Sequence, residues 1–132
     1  MLTAVDSSVL LDMLAGAAEQ AGASEHALRQ AVREGGLIVC ETVIAEITPA
    51  LGKEATVEFL DDLGARFVAS SVESALLAGE MFSRHLKRTG KPRRVVPDFL
   101  IGAHATLHAN RLLARDRGYL RDYFTGLKLW EP

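Results

Sequence analysis

The sequence has little of several residue types, and each scarcity excludes something. Cys40 is the only cysteine among the 132 residues, so no disulfide can form within the chain, and its apolar setting predicts a core thiol in a reducing compartment. No apolar run approaches the ~18 residues that cross a bilayer, and no basic-then-apolar leader follows Met1. The net charge is only −2, so no overall attraction to nucleic acid or membrane is expected. We therefore expect a soluble, cytoplasmic protein.

Several common catalytic patterns are also missing. There is no glycine-rich phosphate-binding loop of either common type. His104 and His108 have the spacing of a zinc-binding HExxH motif, but Ala105 stands where the catalytic glutamate belongs, so we expect both histidines to have structural partners. Ser7 and Ser8 lack the nearby histidine and aspartate that nucleophilic catalysis requires.

The chain does have the composition and periodicity of one globular domain. Hydrophobic residues make up 48% and charged residues 24%, and the length is sufficient for a real core. Apolar runs typical of strands alternate with stretches at helical spacing, which predicts a single domain over residues 1–132 with an α/β fold. The expected architecture is a three-layer α/β/α sandwich with a central, mainly parallel sheet. Strands are predicted at residues 2–5, 37–40, 65–68, 111–114 and 127–130, and helices at 7–14, 24–33, 42–49, 53–63, 71–88 and 98–110.

Four acidic residues are placed where such a fold would bring them together. Asp6 and Asp116 each follow a predicted strand, Glu46 lies one helical turn beyond another, and Asp98 opens a predicted helix. In parallel α/β sheets the site lies beyond the carboxyl ends of the strands. A carboxylate at the edge of a core needs a partner, and an all-oxygen set favours Mg²⁺ or Mn²⁺ over zinc. Such a centre suits hydrolysis of a phosphodiester.

Each acid also has an ordinary structural explanation. Asp6 and Asp98 could cap helices, Glu46 could lie exposed on its helix, and Asp116 could be a turn residue. The presence of all four at one edge favours the metal interpretation over four separate coincidences. Asp12 is rotated by about 600° from Asp6 around the helix, so we assign it at most a supporting role.

A local cationic segment contrasts with the mildly acidic whole. Six of the 15 lysines and arginines fall between residues 84 and 94, with no acid among them. Such a segment is either a solvated loop or a surface for an anionic ligand. Its members are Arg84, Lys87, Arg88, Lys91, Arg93 and Arg94.

With the acids assembled, the chain resembles the PIN domain, specifically the VapC-like toxins of type II toxin–antitoxin modules. The resemblance spans nearly the whole chain and rests on four segments in order. They are VDSSVLLD (residues 5–12), TVIAEI (42–47), VPDFLIGAHA (96–105) and LLARDRGY (112–119), and the third is the most specific.

The resemblance implies an α/β/α sandwich with Mg²⁺- or Mn²⁺-dependent endoribonuclease activity. Asp6, Glu46, Asp98 and Asp116 match the family's catalytic, metal-binding acids, and hydrolysis of RNA by metal-activated water would leave 5′-phosphate and 3′-hydroxyl ends. It further implies a homodimer and a cognate antitoxin that occupies the cleft. Because the antitoxin binds operator DNA in such modules, any contact of this chain with DNA would be indirect.

The resemblance also gives the cationic segment a role. Lys91, Arg93 and Arg94 come shortly before Asp98 and are expected to bind RNA phosphates, which position a substrate without reading its sequence. With five Phe, two Tyr and one Trp, the chain offers few rings for base stacking, so RNA shape is expected to matter more. One departure is Ala114, where many relatives carry Thr or Ser; the Ser7 hydroxyl is a conceivable substitute.

Three other functions stay open. A PIN-like module that binds without cleaving, or cleaves weakly, is favoured only by Ala114. A phospho-acceptor receiver domain would share the acids and Mg²⁺, but it needs a lysine at the end of a late strand, and the only late lysine is Lys128 inside the last predicted strand. A DNA flap nuclease or exonuclease would need additional helical elements that this short chain lacks.

Overall fold

The computed structural model describes residues 1–91 and 94–132, and a single parallel sheet lies at its centre. In this part of the chain five strands pair in the order β3-β2-β1-β4-β5, and every pairing is parallel. The strands are β1 (Thr3–Val5), β2 (Leu37–Val39), β3 (Ala65–Phe67), β4 (Arg111–Leu113) and β5 (Leu129–Trp130).

Helices fill the connections between the strands. They are α1 (Ser7–Ala15), α2 (Ala18–Arg33), α3 (Glu41–Leu51), α4 (Lys53–Leu63), α5 (Val72–Thr89), α6 (Pro97–His108) and α7 (Tyr119–Tyr123). Helix α1 packs on α2 and α3, and α3 packs on α4, whereas α5 packs on α6 and α6 on α7. Right-handed crossovers place the first group on one face of the sheet and the second group on the other, because the strand order reverses between β3 and β4. The predicted three-layer α/β/α architecture is confirmed, and the sheet is parallel throughout.

The reversal of strand order positions the edge that matters for function. Strand β1 is central, and Thr3 is in register with Leu37 of β2 on one side and Arg111 of β4 on the other. Chain connections leave β1 and β4 in opposite directions, which opens a crevice at their carboxyl ends. The backbone N–H of Asp6 donates to the carbonyl of Leu113 over 2.9 Å, so Asp6 stands at that crevice beside the end of β4.

The helices depart from the prediction most clearly at α2, α3 and α7. Helix α2 begins at Ala18 and runs through Gly22, an exposed position at which glycine costs helix stability without ending the helix. Helix α3 continues past Pro49 to Leu51, with Gly52 as its C-cap, because a proline in the last turn removes only one backbone hydrogen bond. The short helix α7 has no counterpart in the prediction, since five residues are too few to show a period.

A close contact at Gly102 fixes α6 against the segment that includes α7. A Cβ at Gly102 would lie 2.8 Å from the ring of Phe124 and 2.9 Å from the side chain of Leu120, so glycine is required for this approach. Phe99, one turn earlier on α6, is fully buried and packs with its ring centroid 6.3 Å from that of Phe124. The start of α6, which carries Asp98, is therefore held by a rigid aromatic contact.

The single cysteine lies in the core of the protein. Cys40 is buried directly before α3, and burial raises the pKa of its thiol above the ordinary value, as predicted for an unreactive core cysteine. Among the helices of residues 1–91 and 94–132, none combines the length and apolarity that crossing a membrane would require.

Candidate active site

A cleft of about 310 Å³ opens at the carboxyl edge of β1 and β4. Its walls come from the first turns of α1 and α6, from α3 and from the segment after β4. Three of the four acids predicted from the sequence line it, namely Asp6, Glu46 and Asp98. The other lining residues are Ser7, Ser8, Leu11, Arg115 and Arg117.

The first turn of α1 holds two of the three acids. Asp6 is the N-cap of α1, and its Oδ2 accepts hydrogen bonds from the backbone N–H of Ser8 over 3.3 Å and from the Ser8 hydroxyl. The hydroxyl of Ser7 donates to Oε1 of Glu46 over 2.8 Å. The oxygen of Ser8 also accepts from the backbone N–H of Arg115 over 3.1 Å, which joins α1 to the segment after β4. Adjacent serines thereby orient acids that come from different elements.

Asp98 points into the cleft rather than capping its helix. It is the second residue of α6, after Pro97, and the N-cap Val96 receives no side-chain bond. Only 9% of the Asp98 side chain is exposed, and its Oδ1 accepts a hydrogen bond of 2.5 Å from Nη2 of Arg117. The capping alternative left open for Asp98 is therefore not the role that the structure gives it.

The three carboxylates act on one another electrostatically. Burial raises the pKa of Asp6 above its ordinary value, hydrogen bonds from Ser8 partly offset this, and the charges of Asp98 and Glu46 raise the pKa further. The carboxylates are thus close enough to repel each other. A cation bound among them would relieve this repulsion.

Arg117 is a cation that faces all three acids. The hydrogen bond and charge of Asp98 raise the pKa of Arg117 above its ordinary value, and the charges of Asp6 and Glu46 contribute in the same direction. Sequence reasoning missed both Arg117 and Arg115. The available signal was their alternation around Asp116, since side chains two residues apart on an extended chain project to the same side.

Asp116 is the one predicted acid that does not line the cleft. Its Oδ1 accepts from the backbone N–H groups of Gly118 over 2.9 Å and of Leu120 over 3.1 Å. Its Oδ2 accepts from the N–H of Arg121 over 3.0 Å. These contacts describe the turn role that the sequence left open, with the carboxylate placed at the start of α7. A metal-binding role for Asp116 stays a prediction.

Asp12 and Arg115 form a supporting pair behind the cleft. Asp12 makes a salt bridge with Arg115 and accepts a hydrogen bond of 3.1 Å from the hydroxyl of Ser24. Arg115 also donates to the carbonyl of Pro132 over 3.0 Å. Asp12 does not line the cleft, in agreement with the supporting role expected for it.

The cationic segment begins on the last turns of α5, which carry Arg84, Lys87 and Arg88, and continues beyond that helix. Lys91 and Arg94 are exposed, and neither lines the acid cleft. The backbone N–H of Lys91 donates to the hydroxyl of Thr89 over 3.1 Å, which ties Lys91 to the last residue of α5. Arg93, the third residue predicted to bind RNA, lies outside the described residues. An RNA-binding role for these side chains stays a prediction.

The other polar residues considered in the sequence, His104, His108 and Lys128, do not line the acid cleft. Nε2 of His104 is 2.7 Å from the carbonyl of Val68, and Nε2 of His108 is 3.2 Å from the hydroxyl of Ser71, so both histidines have the partners expected of them. Lys128 precedes β5 and lines a different cleft. Within residues 1–91 and 94–132, the acid cleft therefore contains no lysine of the kind that a receiver domain requires.

The donors in the cleft fit a hard divalent cation by chemistry, and their spacing shows what must change for one to bind. Carboxylate oxygens are the ligands that Mg²⁺ and Mn²⁺ prefer. In the described part of the chain, however, no three His, Cys, Asp or Glu side chains are grouped closely enough to hold a metal ion. The guanidinium of Arg117 pairs with Oδ1 of Asp98, so that oxygen becomes available to a cation only when the pair opens.

Comparisons with known proteins agree on the fold. A family model described as the PIN domain matches residues 3–123. No curated protein matches the chain in sequence.

Several solved structures are similar to the chain along nearly its whole length. A chain in the VapBC2 structure from Rickettsia felis, bound to a DNA fragment from the promoter, is 16% identical with a TM-score of 0.74, and the match covers 100% of this chain and 99% of that one. A chain of VapBC-1 from nontypeable Haemophilus influenzae is 17% identical with a TM-score of 0.67, and the match covers 99% of this chain and 98% of that one. VapC20 of Mycobacterium tuberculosis, described as a sarcin-ricin loop cleaving toxin, is 16% identical with a TM-score of 0.59. That match covers 91% of this chain and 94% of VapC20. At these identities the likeness shows the fold.

Proposed function

Because the chain belongs to the PIN domain family, we propose that it is the toxin of a type II toxin–antitoxin module and cleaves RNA as a Mg²⁺- or Mn²⁺-dependent endoribonuclease. The observation that carries the proposal is the convergence of Asp6, Glu46 and Asp98 in one cleft from three elements that are remote in sequence. The similarity in fold to chains of VapBC structures supports the assignment to toxins.

The three acids would hold the cation. A bound Mg²⁺ or Mn²⁺ supplies a water of lowered pKa and offsets charge on the phosphodiester. The hydroxyls of Ser7 and Ser8 donate to Glu46 and Asp6, which fixes the direction of each carboxylate. Partners of this kind orient metal ligands and raise metal affinity. The Ser7 hydroxyl thus supports an acid directly, although Ala114 supplies none.

Exposed cations near the start of α6 would hold the RNA backbone. Lys91 and Arg94 are exposed on the chain that leads to Asp98, and we assign them phosphate contacts. The same role is predicted for Arg93 from the sequence. Contacts of this kind set the register of an RNA strand relative to the acids and leave the choice of sequence to RNA shape.

We further propose a homodimer and a cognate antitoxin as protein partners. Val72 and Leu76 lie one turn apart on α5 and are 73% and 69% exposed, so one helix face presents two apolar side chains to a partner. In the module, the antitoxin would silence the acid cleft and would make the contacts to operator DNA, so this chain would meet DNA only indirectly.

A PIN module that binds RNA without cleaving it is the second candidate, and two observations favour it. The pairing of Arg117 with Oδ1 of Asp98 occupies one oxygen of the proposed metal site, and the fully buried Ala114 supplies no hydroxyl. Both candidates predict RNA binding, so only a cleavage assay separates them.

Inducible expression of the wild type beside Asp98→Asn tests the proposal. Asparagine keeps the shape of the side chain and an oxygen for Arg117 but removes the charge that a cation needs. Asp62→Asn, an exposed acid on α4, is the matched control. We expect growth arrest and discrete new RNA 5′ ends with the wild type and Asp62→Asn, and neither with Asp98→Asn.

The same experiment identifies the RNA that is cut, because the new 5′ ends map to particular transcripts. Soluble, folded wild-type protein that causes no arrest and no new 5′ ends would contradict the ribonuclease proposal and favour the binding module.

A further inference from the structure

We propose that Arg117 is a displaceable counter-ion of the acid cleft: its guanidinium occupies Asp98 until a divalent cation replaces it. Metal binding would then require the Arg117–Asp98 pair to open and would release a tethered positive charge at the mouth of the cleft. This inference rests on the proposed metal-dependent function and adds a regulated step to it. It assigns a positioning role to a side chain that the sequence did not single out.

The two side chains of the ion pair differ in their exposure to solvent, and therefore in the cost of separating each one from its partner. Nη2 of Arg117 lies 2.5 Å from Oδ1 of Asp98, yet 68% of the arginine side chain is exposed and only 9% of the aspartate side chain is. An exposed guanidinium that leaves the pair returns to water at little cost. A buried carboxylate that loses its cation is left uncompensated, which is costly. The pair therefore opens readily only when another cation takes over Asp98.

Arg115, the second arginine of the cleft wall, is held by more contacts than Arg117. Arg115 is 27% exposed, forms a salt bridge with Asp12 and donates to the carbonyl of Pro132 over 3.0 Å and the hydroxyl of Ser24 over 3.3 Å. Arg115 is thus tied to three groups on three different segments. Among the described contacts, the guanidinium of Arg117 is held by Asp98. Of these two arginines, Arg117 is the one that a cation can displace.

The backbone on the C-terminal side of Arg117 is anchored independently of the Arg117 side chain. The carboxylate of Asp116 accepts hydrogen bonds from the N–H groups of Gly118, Leu120 and Arg121, which follow Arg117 closely in sequence. Displacement from Asp98 therefore needs only side-chain rotation. A released guanidinium remains beside the cleft, where an RNA phosphate can bind it. By linkage, whatever holds the released guanidinium also raises the affinity of the acids for a cation.

Calorimetric titration with Mn²⁺ alone tests the proposal on the metal-free protein. Arg117→Ala removes the competing charge, so we expect it to bind Mn²⁺ more tightly than the wild type, by up to about fivefold, the most that an exposed ion pair typically supplies. Arg121→Ala is the matched control, because Arg121 is 73% exposed and pairs at 3.6 Å with its neighbour Asp122. We expect Arg121→Ala to bind Mn²⁺ as the wild type does. If Arg117→Ala does not fold, Arg117→Gln serves in its place.

A second measurement needs no substitution at Arg117 in the protein observed. The side-chain Nε–H resonance of Arg117, assigned by its absence from the Arg117→Lys spectrum, is followed by NMR during titration with Mg²⁺. We expect its chemical shift to move toward that of a solvent-exposed arginine. The change should saturate with the Mg²⁺ affinity of the site. The resonance of Arg115 should stay comparatively unchanged, since its partners lie outside the acid set.

The outcomes separate this proposal from the one on which it rests. Mn²⁺ binding that is lost in Asp98→Asn but is no tighter in Arg117→Ala overturns the counter-ion role alone. An Arg117 chemical shift that does not change at saturating Mg²⁺ also overturns the counter-ion role alone. A wild type that binds neither cation overturns the proposed metal site, and the counter-ion role with it.

Discussion

The hydroxyl of Ser7, the first residue of α1, donates a hydrogen bond of 2.8 Å to Oε1 of Glu46 on α3. Ser7 is buried, and Glu46 is partly buried at the wall of the acid cleft. The bond therefore fixes one carboxylate oxygen in a direction set by the end of β1. It couples the orientation of Glu46 to the start of α1, which Asp6 caps.

Loss of this hydroxyl should weaken the proposed metal site. Partners that orient a ligand typically account for a factor of about 10 to 100 in metal affinity, so we expect Ser7→Ala to bind Mn²⁺ about tenfold more weakly. Calorimetry measures this directly. Ser83→Ala on α5, away from the acid cleft, is the control and should bind as the wild type does. Equal affinities for Ser7→Ala and wild type would show that the bond does not support a metal ligand.

The carboxylate of Asp116 should contribute to stability through the three N–H groups from which it accepts hydrogen bonds. We expect Asp116→Ala to lower the free energy of unfolding by about 1 kcal/mol, the usual cost of losing a helix cap. Asp116→Asn keeps one oxygen acceptor and should lose less. Urea unfolding checks both. A large loss of Mn²⁺ affinity in Asp116→Asn, at unchanged stability, would instead support the ligand role predicted from the sequence.

Gly102 should not tolerate a side chain. The methyl group of Gly102→Ala would lie 2.8 Å from the ring of Phe124, which is buried and cannot swing away, so we expect a loss of about 1–3 kcal/mol in the free energy of unfolding. Gly79→Ala on α5 is the matched control, because nothing lies within 4 Å of its added Cβ. That variant should be about 0.5–1 kcal/mol more stable than the wild type, as expected for alanine in a helix. Equal effects of the two substitutions would contradict the packing argument.

His104 should make stability depend on pH. Burial lowers its pKa below the ordinary 6.5, the hydrogen bond with Val68 partly offsets this, and the charge of His108 lowers it again. The unfolded chain therefore takes up a proton before the folded protein does. The stability from neutral His104 is fully present above pH 6.5 and is lost as the pH falls toward the folded pKa.

Replacing His104 by glutamine isolates this contribution. Glutamine can still donate to the carbonyl of Val68 but does not titrate. We expect the free energy of unfolding of the wild type to fall, relative to His104→Gln, as the pH is lowered through 6.5 toward the lowered pKa of the folded protein. His26→Gln, on α2 and away from this pair of histidines, should keep the wild-type profile. Parallel profiles for wild type and His104→Gln would rule out this source of pH dependence.

The cationic segment before α6 should set part of the salt dependence of RNA binding. In an Asp98→Asn background, in which we expect no cleavage, we expect Lys91→Ala with Arg94→Ala to weaken binding of a fluorescent single-stranded RNA. The slope of log K against log salt should become shallower by about 0.7 for each RNA phosphate that the variant no longer neutralises. Arg33→Ala with Lys53→Ala removes the same charge from other exposed positions and is the control. An affinity and slope that match the control would contradict the assigned role.

Much of the fold could be predicted because its signals are local. Short apolar runs, helical spacing and the order of the elements depend on neighbouring residues, so the five strands and the α/β/α layers followed from the sequence. The carboxyl-edge rule then placed Asp6, Glu46 and Asp98 together, and the structure lines one cleft with them. The boundary of α2 and the existence of α7 were missed, since Gly22 gives a false stop and five residues show no period.

By itself, the sequence determined the fold class, the succession of elements and which acids approach the carboxyl edge of the sheet, because periodicity and strand order carry that information. Only the tertiary structure decided which partner each charged group at that edge takes. Asp116 binds the backbone of α7, Arg115 binds Asp12, and Arg117 binds Asp98. These choices depend on distances between segments far apart in sequence and on the burial of each side chain, and neither quantity is written in the spacing of residues along the chain.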